Sequence, residues 1–138
     1  MRRAIAAAIF LCLFVSQVQA EPHYITQARQ HLGKTGPQLG LPATLWCADF
    51  INMVLERAGL RGTKSRAAAS FMGLRKIQGP QPGAIAVIGG NGYIRHVGFV
   101  TGVEPDGDPI ILSGNSYQRK VYEGAYPRSQ VLAYVIPD

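Results

Sequence analysis

The sequence predicts an α+β domain in which helices come first and an antiparallel sheet follows. Two observations carry this. Apolar residues recur at helical spacing as far as Leu74, and beyond the Gly79-Pro80-Gln81-Pro82-Gly83 break the pattern turns to β-rich segments separated by turn residues. Size is the third: 138 residues, 47% hydrophobic and 16% charged, hold one compact core and argue against a disordered tail or a multi-domain array.

The first twenty residues stand apart from that domain. Arg2 and Arg3 precede a continuously apolar run from Ala4 to Val15, and Val18-Gln19-Ala20 supplies small residues where a signal peptidase reads. This predicts a cleaved secretory signal over residues 1–20, cut after Ala20, with the domain over 21–138. The apolar run is shorter than the roughly 20 residues a membrane-spanning helix needs. Ile9-Phe10-Leu11 before Cys12 lacks the small residues of a lipoprotein signal. The expectation is a soluble protein in the periplasm or outside the cell, without a membrane span.

Each element has its own signal. Ile25, Ala28 and Leu32 fall at helical spacing in Tyr24 to Leu32, and Gly33, Gly36, Pro37, Gly40 and Pro42 then forbid regular structure. Trp46 to Leu60 places Phe50, Met53, Val54 and Ala58 on one face, ends at Gly59 and offers Thr44 as an N-cap. Ala67 to Leu74 suggests a third helix. Strands are expected over Ala84 to Ile88, Tyr93 to Val103, Pro109 to Gly114 and Gln130 to Ile136, with turns at Gly89-Gly90-Asn91-Gly92 and around Pro105-Asp106-Gly107.

Of the two cysteines, Cys12 leaves with the signal, so Cys47 stands alone in the mature chain. An unpaired thiol in an oxidising compartment is a liability, and a reactive nucleophile is one reason to keep it; a buried, inert small hydrophobe is the other reading. Loss of Arg2 and Arg3 leaves 12 of the 14 basic residues against 8 acidic ones. These basic residues form no dense run and no aromatic-interleaved stripe, which argues against nucleic-acid binding and for solvated surface. Outside the cytoplasm, a mildly basic surface meets envelope glycans and lipids.

Cys47 falls in the first turn of its helix, where the positive end of the backbone dipole and unpaired N–H groups favour thiolate and offer donors to an oxyanion. Three histidines could supply the base. His23 and His31 belong to or flank the first helix and read as polar helix surface. His96 sits within Tyr93-Ile94-Arg95-His96-Val97-Gly98-Phe99-Val100, where alternation puts Val97 and Phe99 on one face and His96 with Gly98 on the other. Gly98 leaves space beside the imidazole. A structural histidine satisfied by hydrogen bonds is the competing reading. If the Asp106-Gly107 turn closes a hairpin, the partner of His96 falls near Tyr117, within two positions of Asn115. Asn115 is thus a candidate to fix the imidazole tautomer, or a turn residue ending its strand; Ser113, Gln118 and Asp108 are substitutes.

Together Trp46-Cys47-Ala48-Asp49-Phe50, Gln81-Pro82-Gly83-Ala84-Ile85-Ala86-Val87, Arg95-His96-Val97-Gly98-Phe99-Val100, Gly114-Asn115-Ser116 and the tail Tyr126-Pro127-Arg128-Ser129 with Leu132-Ala133-Tyr134 resemble papain-like cell-wall hydrolases. These are the NlpC-type and CHAP (cysteine, histidine-dependent amidohydrolase/peptidase) families, and the likeness spans Tyr24 to Pro137. The resemblance implies a papain-like fold and a peptidoglycan hydrolase cutting an amide of the wall peptide. Cys47 would be nucleophile, His96 base and Asn115 orienting residue. Cuts at the sugar–peptide amide and inside the stem peptide both fit. Trp46, Tyr93, Arg95 and Tyr117 are candidate groove residues, each with ordinary core or surface packing as the alternative.

Two departures stand out. The family commonly has an acidic residue directly after Pro-Gly, where this chain has Ala84. Many relatives also carry wall-binding domains for which this chain has no room, so targeting is expected from the catalytic domain or a partner. Gly33-Lys34-Thr35 lacks the first glycine and preceding strand of a phosphate loop. No short ligand spacing suggests zinc and no acidic loop calcium, so no cofactor or metal is expected. A wall-binding module without catalysis, and a thiol acyltransferase using the same pair, are the alternatives to a hydrolase.

Overall fold

The computed structural model describes residues 9, 11, 12 and 21–138; the expected signal segment otherwise lies outside the described residues. Among the described residues, two helices and four short 3₁₀ turns accompany a six-stranded sheet. Helix α1 spans His23–Arg29 and α2 spans Cys47–Arg57; the strands are β1 (Arg75–Ile77), β2 (Ile85–Gly90), β3 (Tyr93–Val103), β4 (Pro109–Ser113), β5 (Tyr122–Ala125) and β6 (Val131–Ile136). The sheet order is β1-β6-β2-β3-β4-β5, with every neighbouring pair antiparallel. This is the predicted α+β, papain-like arrangement of helices packed on an antiparallel sheet. Among the described residues no helix is long and apolar enough to cross a membrane.

The helices cover one face of the sheet. Phe50, Ile51, Val54 and Leu55 of α2 form one core with Ile85, Val87, Val97, Phe99, Leu112 and Val135. The alternate residues Ala84, Ala86, Ile88, Val100 and Ile111 build a smaller cluster on the opposite face. Ala84 is fully buried there, in an apolar position rather than one awaiting a carboxylate. Tyr24 of α1 donates its hydroxyl to the Gly83 carbonyl at 2.6 Å, and Arg29 pairs with Glu123 of β5 at 3.0 Å. The expected loop after α1 contains a 3₁₀ turn at Pro37–Leu39 and is tethered where Val121 N–H donates to the Lys34 carbonyl at 2.8 Å.

Four strands fall where the sequence places them, and the tight turn is Asn91-Gly92, with φ of 53° and 79°, the two positive values such a hairpin requires. Three expectations are corrected. Ala67 to Leu74 forms not a helix but a 3₁₀ turn over Ala68–Gly73, running directly into the edge strand β1. The α2 N-cap is Trp46, without a side-chain cap, rather than Thr44. Strands β1 and β5 are additional.

Candidate active site

Cys47 is the first residue of α2 and only 7% exposed. Burial pushes its pKa up, and this outweighs the backbone N–H groups of Val97, Ala48 and Cys47 itself, which pull it down. The helix terminus therefore supplies donors, as its position predicts, but leaves the resting group a thiol. A base has to take its proton.

His96 lies on β3 beside Val97, whose backbone is the one that reaches the thiol. The predicted alternation holds: Val97 and Phe99 join the helix-side core, whereas His96 is level with Ile88 of the opposite cluster. Its Nε2 lies 2.8 Å from Oγ of Ser113, a residue with no exposed surface. The ring stacks on Tyr126 at 5.8 Å with planes 16° apart, and the Tyr126 hydroxyl is 3.0 Å from that of Ser116. Burial lowers the His96 pKa to about 4, so the imidazole is neutral at physiological pH. Among the described residues no hydrogen bond joins Sγ to the imidazole; the backbone of Val97, the residue after His96, is what β3 brings to the thiol.

Two local devices build this corner. Ile88 is opposite His96 but Gly89 is opposite Ile94, so Arg95 is the extra residue of a β-bulge. Successive residues Arg95 and His96 thereby line one cavity of about 200 Å³ with Ile88, Gly89, Tyr126 and Gln130. Close approach is the second device. A Cβ at Gly98 would stand 2.8 Å from Ser113 Cβ, and one at Gly114 would stand 2.5 Å from the Trp46 ring and 2.6 Å from Phe50 Cβ. The glycines let Ser113 slide under the imidazole while the end of β4 runs against the first turn of α2.

The orienting position differs from the first expectation. Continuing the Phe99–Leu112 register by three residues would set Asn115 level with His96, but the ladder stops short and Asn115 turns away with φ 50°. Among the described residues its side chain makes no hydrogen bond, and Ser113, one of the substitutes, holds Nε2.

Of the candidate groove residues, Arg95 joins His96. Tyr93 is 73% exposed beside the hairpin turn. Tyr117 is exposed too, but lines a separate cavity of about 310 Å³ and packs on Tyr122 at 5.5 Å. Trp46 is corrected: it is fully buried, edge-on to Phe50 at 6.3 Å, and cannot line a groove. His31 is corrected as well, being half-buried with its ring edge-on to Phe50 at 6.2 Å and its pKa lowered chiefly by burial. Tyr126 had no spacing signal of its own, because what places it is the long return from β5. A larger cavity, about 600 Å³, lies along α2 between Leu41, Asp49, Glu56 and Arg66, and neither Cys47 nor His96 lines it. Among the described residues no group of three His, Cys, Asp or Glu side chains could hold a metal.

Fold and site together define a papain-like α+β domain with a cysteine at a helix N-terminus against a histidine-bearing strand. The model of the CHAP domain matches residues 38–115, more than half of the chain, and this protein belongs to the CHAP domain family. Members of that family are typically amidases and peptidases of peptidoglycan. The matched residues include Cys47, His96, Ser113 and Asn115 and end before Tyr126. No curated protein matches the chain.

Proposed function

We propose that this protein is an exported peptidoglycan hydrolase that cleaves an amide of the wall peptide, with Cys47 as nucleophile, His96 as base and Ser113 in the orienting place first considered for Asn115. The observation that carries the reading is a helix-terminal thiol reached by the Val97 backbone, one residue along β3 from an imidazole whose Nε2 is held at 2.8 Å. Export rests on the leader pattern of residues 1–20.

With Nε2 donating its hydrogen to Ser113 Oγ, Nδ1 is the free lone pair that accepts the thiol proton as Sγ attacks the peptide carbonyl carbon. The oxyanion is met by N–H groups at the start of α2. Collapse breaks the C–N bond, and the imidazolium gives its proton to the departing amine. Water, deprotonated by His96, then attacks the thioester and releases a carboxylic acid and the thiol. Arg95, at the mouth of the His96 cavity, suits a carboxylate of the wall peptide.

Digestion of purified peptidoglycan by mature protein and by Cys47→Ala, with mass spectrometry of the soluble products, tests this. The unmodified protein is expected to release fragments and the variant none. Free stem peptides identify an amidase; shortened or uncrosslinked muropeptides identify an endopeptidase. No release by either protein, with equal wall binding, overturns the catalytic reading.

A further inference from the structure

Among the described residues His96 has no neighbouring carboxylate to hold it: the Ser113 hydroxyl is a neutral and weaker tether than an acidic partner. What else fixes the ring comes from outside the segment that matches the family. Tyr126, just beyond β5, lies flat against it at 5.8 Å and 16°, within the distance range of offset stacking. The tyrosine is pinned at both ends, because its hydroxyl meets Ser116 at 3.0 Å and its backbone N–H donates to the Pro109 carbonyl at 3.0 Å. Ser116 in turn lies three residues beyond Ser113. A closed circuit results, running from His96 through Ser113 and the turn to Ser116, Tyr126 and back to His96.

We propose that Tyr126 is a positioning residue for His96, its pinned ring fixing the imidazole plane and keeping water from the His96–Ser113 hydrogen bond. The inference rests on His96 being the base, and it adds a residue that touches neither thiol nor scissile bond. Among the described residues, the charged or titratable groups that line the His96 cavity are Arg95 from its own strand and Tyr126 itself; β2 and β4 present Ile88 and Ser113, which do not titrate. Removing the tyrosine ring opens the roughly 200 Å³ cavity to solvent and frees the imidazole to rotate.

Three variants separate the contributions: Tyr126→Leu removes the stack, while Tyr126→Phe and Ser116→Ala keep it and cut the hydroxyl tie. Each is compared for kcat and KM on soluble wall fragments and for the His96 ring titration by NMR. Tyr126→Leu is expected to lower kcat about tenfold or more with KM nearly unchanged. It should also raise the His96 midpoint by about one pH unit or more as the ring becomes hydrated. The other two variants should lose kcat a few-fold. A Tyr126→Leu protein with unaltered kcat and titration overturns the proposal, as does a rise in KM alone, which would make Tyr126 a substrate contact. Should Tyr126→Leu not fold, Tyr126→Phe and Ser116→Ala decide: unchanged kcat in both refutes the pinning. If the unmodified protein cleaves no wall at all, the titration still tests the positioning while the catalytic reading fails by itself.

Discussion

Acidification should destabilise this protein through His96 before most carboxylates protonate. The folded chain lowers the His96 pKa from the ordinary 6.5 to about 4 by burying the ring among Ile88, Tyr126 and Ser113. Between those two values the unfolded chain binds the proton and the folded chain does not, so unfolding gains protons and stability falls as pH falls. That contribution is complete above about pH 6.5 and exhausted below about pH 4. At about 1.4 kcal/mol for each pH unit between the two values, the loss amounts to roughly 3 kcal/mol, a sizeable part of an ordinary domain's stability. Urea unfolding followed by circular dichroism, at intervals from pH 7 to pH 4, measures it on wild type and on His96→Gln. Glutamine takes no proton, so the difference between the two proteins should shift by about 3 kcal/mol across the interval. Parallel loss of stability in both would show that the ring titrates as it does in water, and the burial argument would fall.

On the proposed mechanism the same ionisation governs catalysis. Because the thiol is raised and the imidazole lowered, kcat/KM should stay level through the neutral range and decline on the acid side with an apparent pKa near 4; a decline centred near 6.5 contradicts it. Gly98→Ala forces a methyl to within 2.8 Å of Ser113 Cβ and should cost about 1–3 kcal/mol in thermal unfolding while lowering kcat. Intact stability with full activity would refute the close-approach account. Trp46→Ala should cost about 3–5 kcal/mol, since the indole is wholly buried against Phe50 and Gly114. Tyr93→Ala, at an exposed turn, should leave stability within about 0.5 kcal/mol, and the opposite ranking would return Trp46 to the groove.

Much of this site was legible before any coordinates, because its signals are local. A thiol at the start of an apolar-faced helix and a histidine in an alternating strand need only their neighbours to be recognised. The Asn91-Gly92 hairpin needs only its two residues. What escaped depends on distant partners. Strand β1, with two exposed basic residues and one apolar one, exists because β6 pairs with it; Tyr122–Ala125, with a glycine inside, exists because β4 does. The exchange of Asn115 for Ser113 has a similar cause. Counting back from the Asp106-Gly107 turn sets Tyr117 opposite His96. The observed turn and a bulge between Val100 and Gly102 move the register by two, which would set Asn115 level with His96. The ladder stops short, however, Asn115 turns away with φ 50°, and Ser113 is left to hold Nε2. Trp46 illustrates a different limit: sequence shows an aromatic beside the thiol, but only the glycines at 36 and 114 show that its ring is swallowed.

The strand order has a consequence for biosynthesis. β6, formed by residues 131–136, sits inside the sheet between β1 and β2. Until those residues are delivered, the strand paired with the histidine-bearing β3 has no second neighbour, and the buried run Ile85 to Ile88 is an open edge of bare amides and apolar side chains. A growing chain cannot seal its sheet while this late segment is held back, so the corner around His96 would be completed only as the last residues are delivered. Chains truncated ahead of Val131 should accordingly be recovered as aggregates.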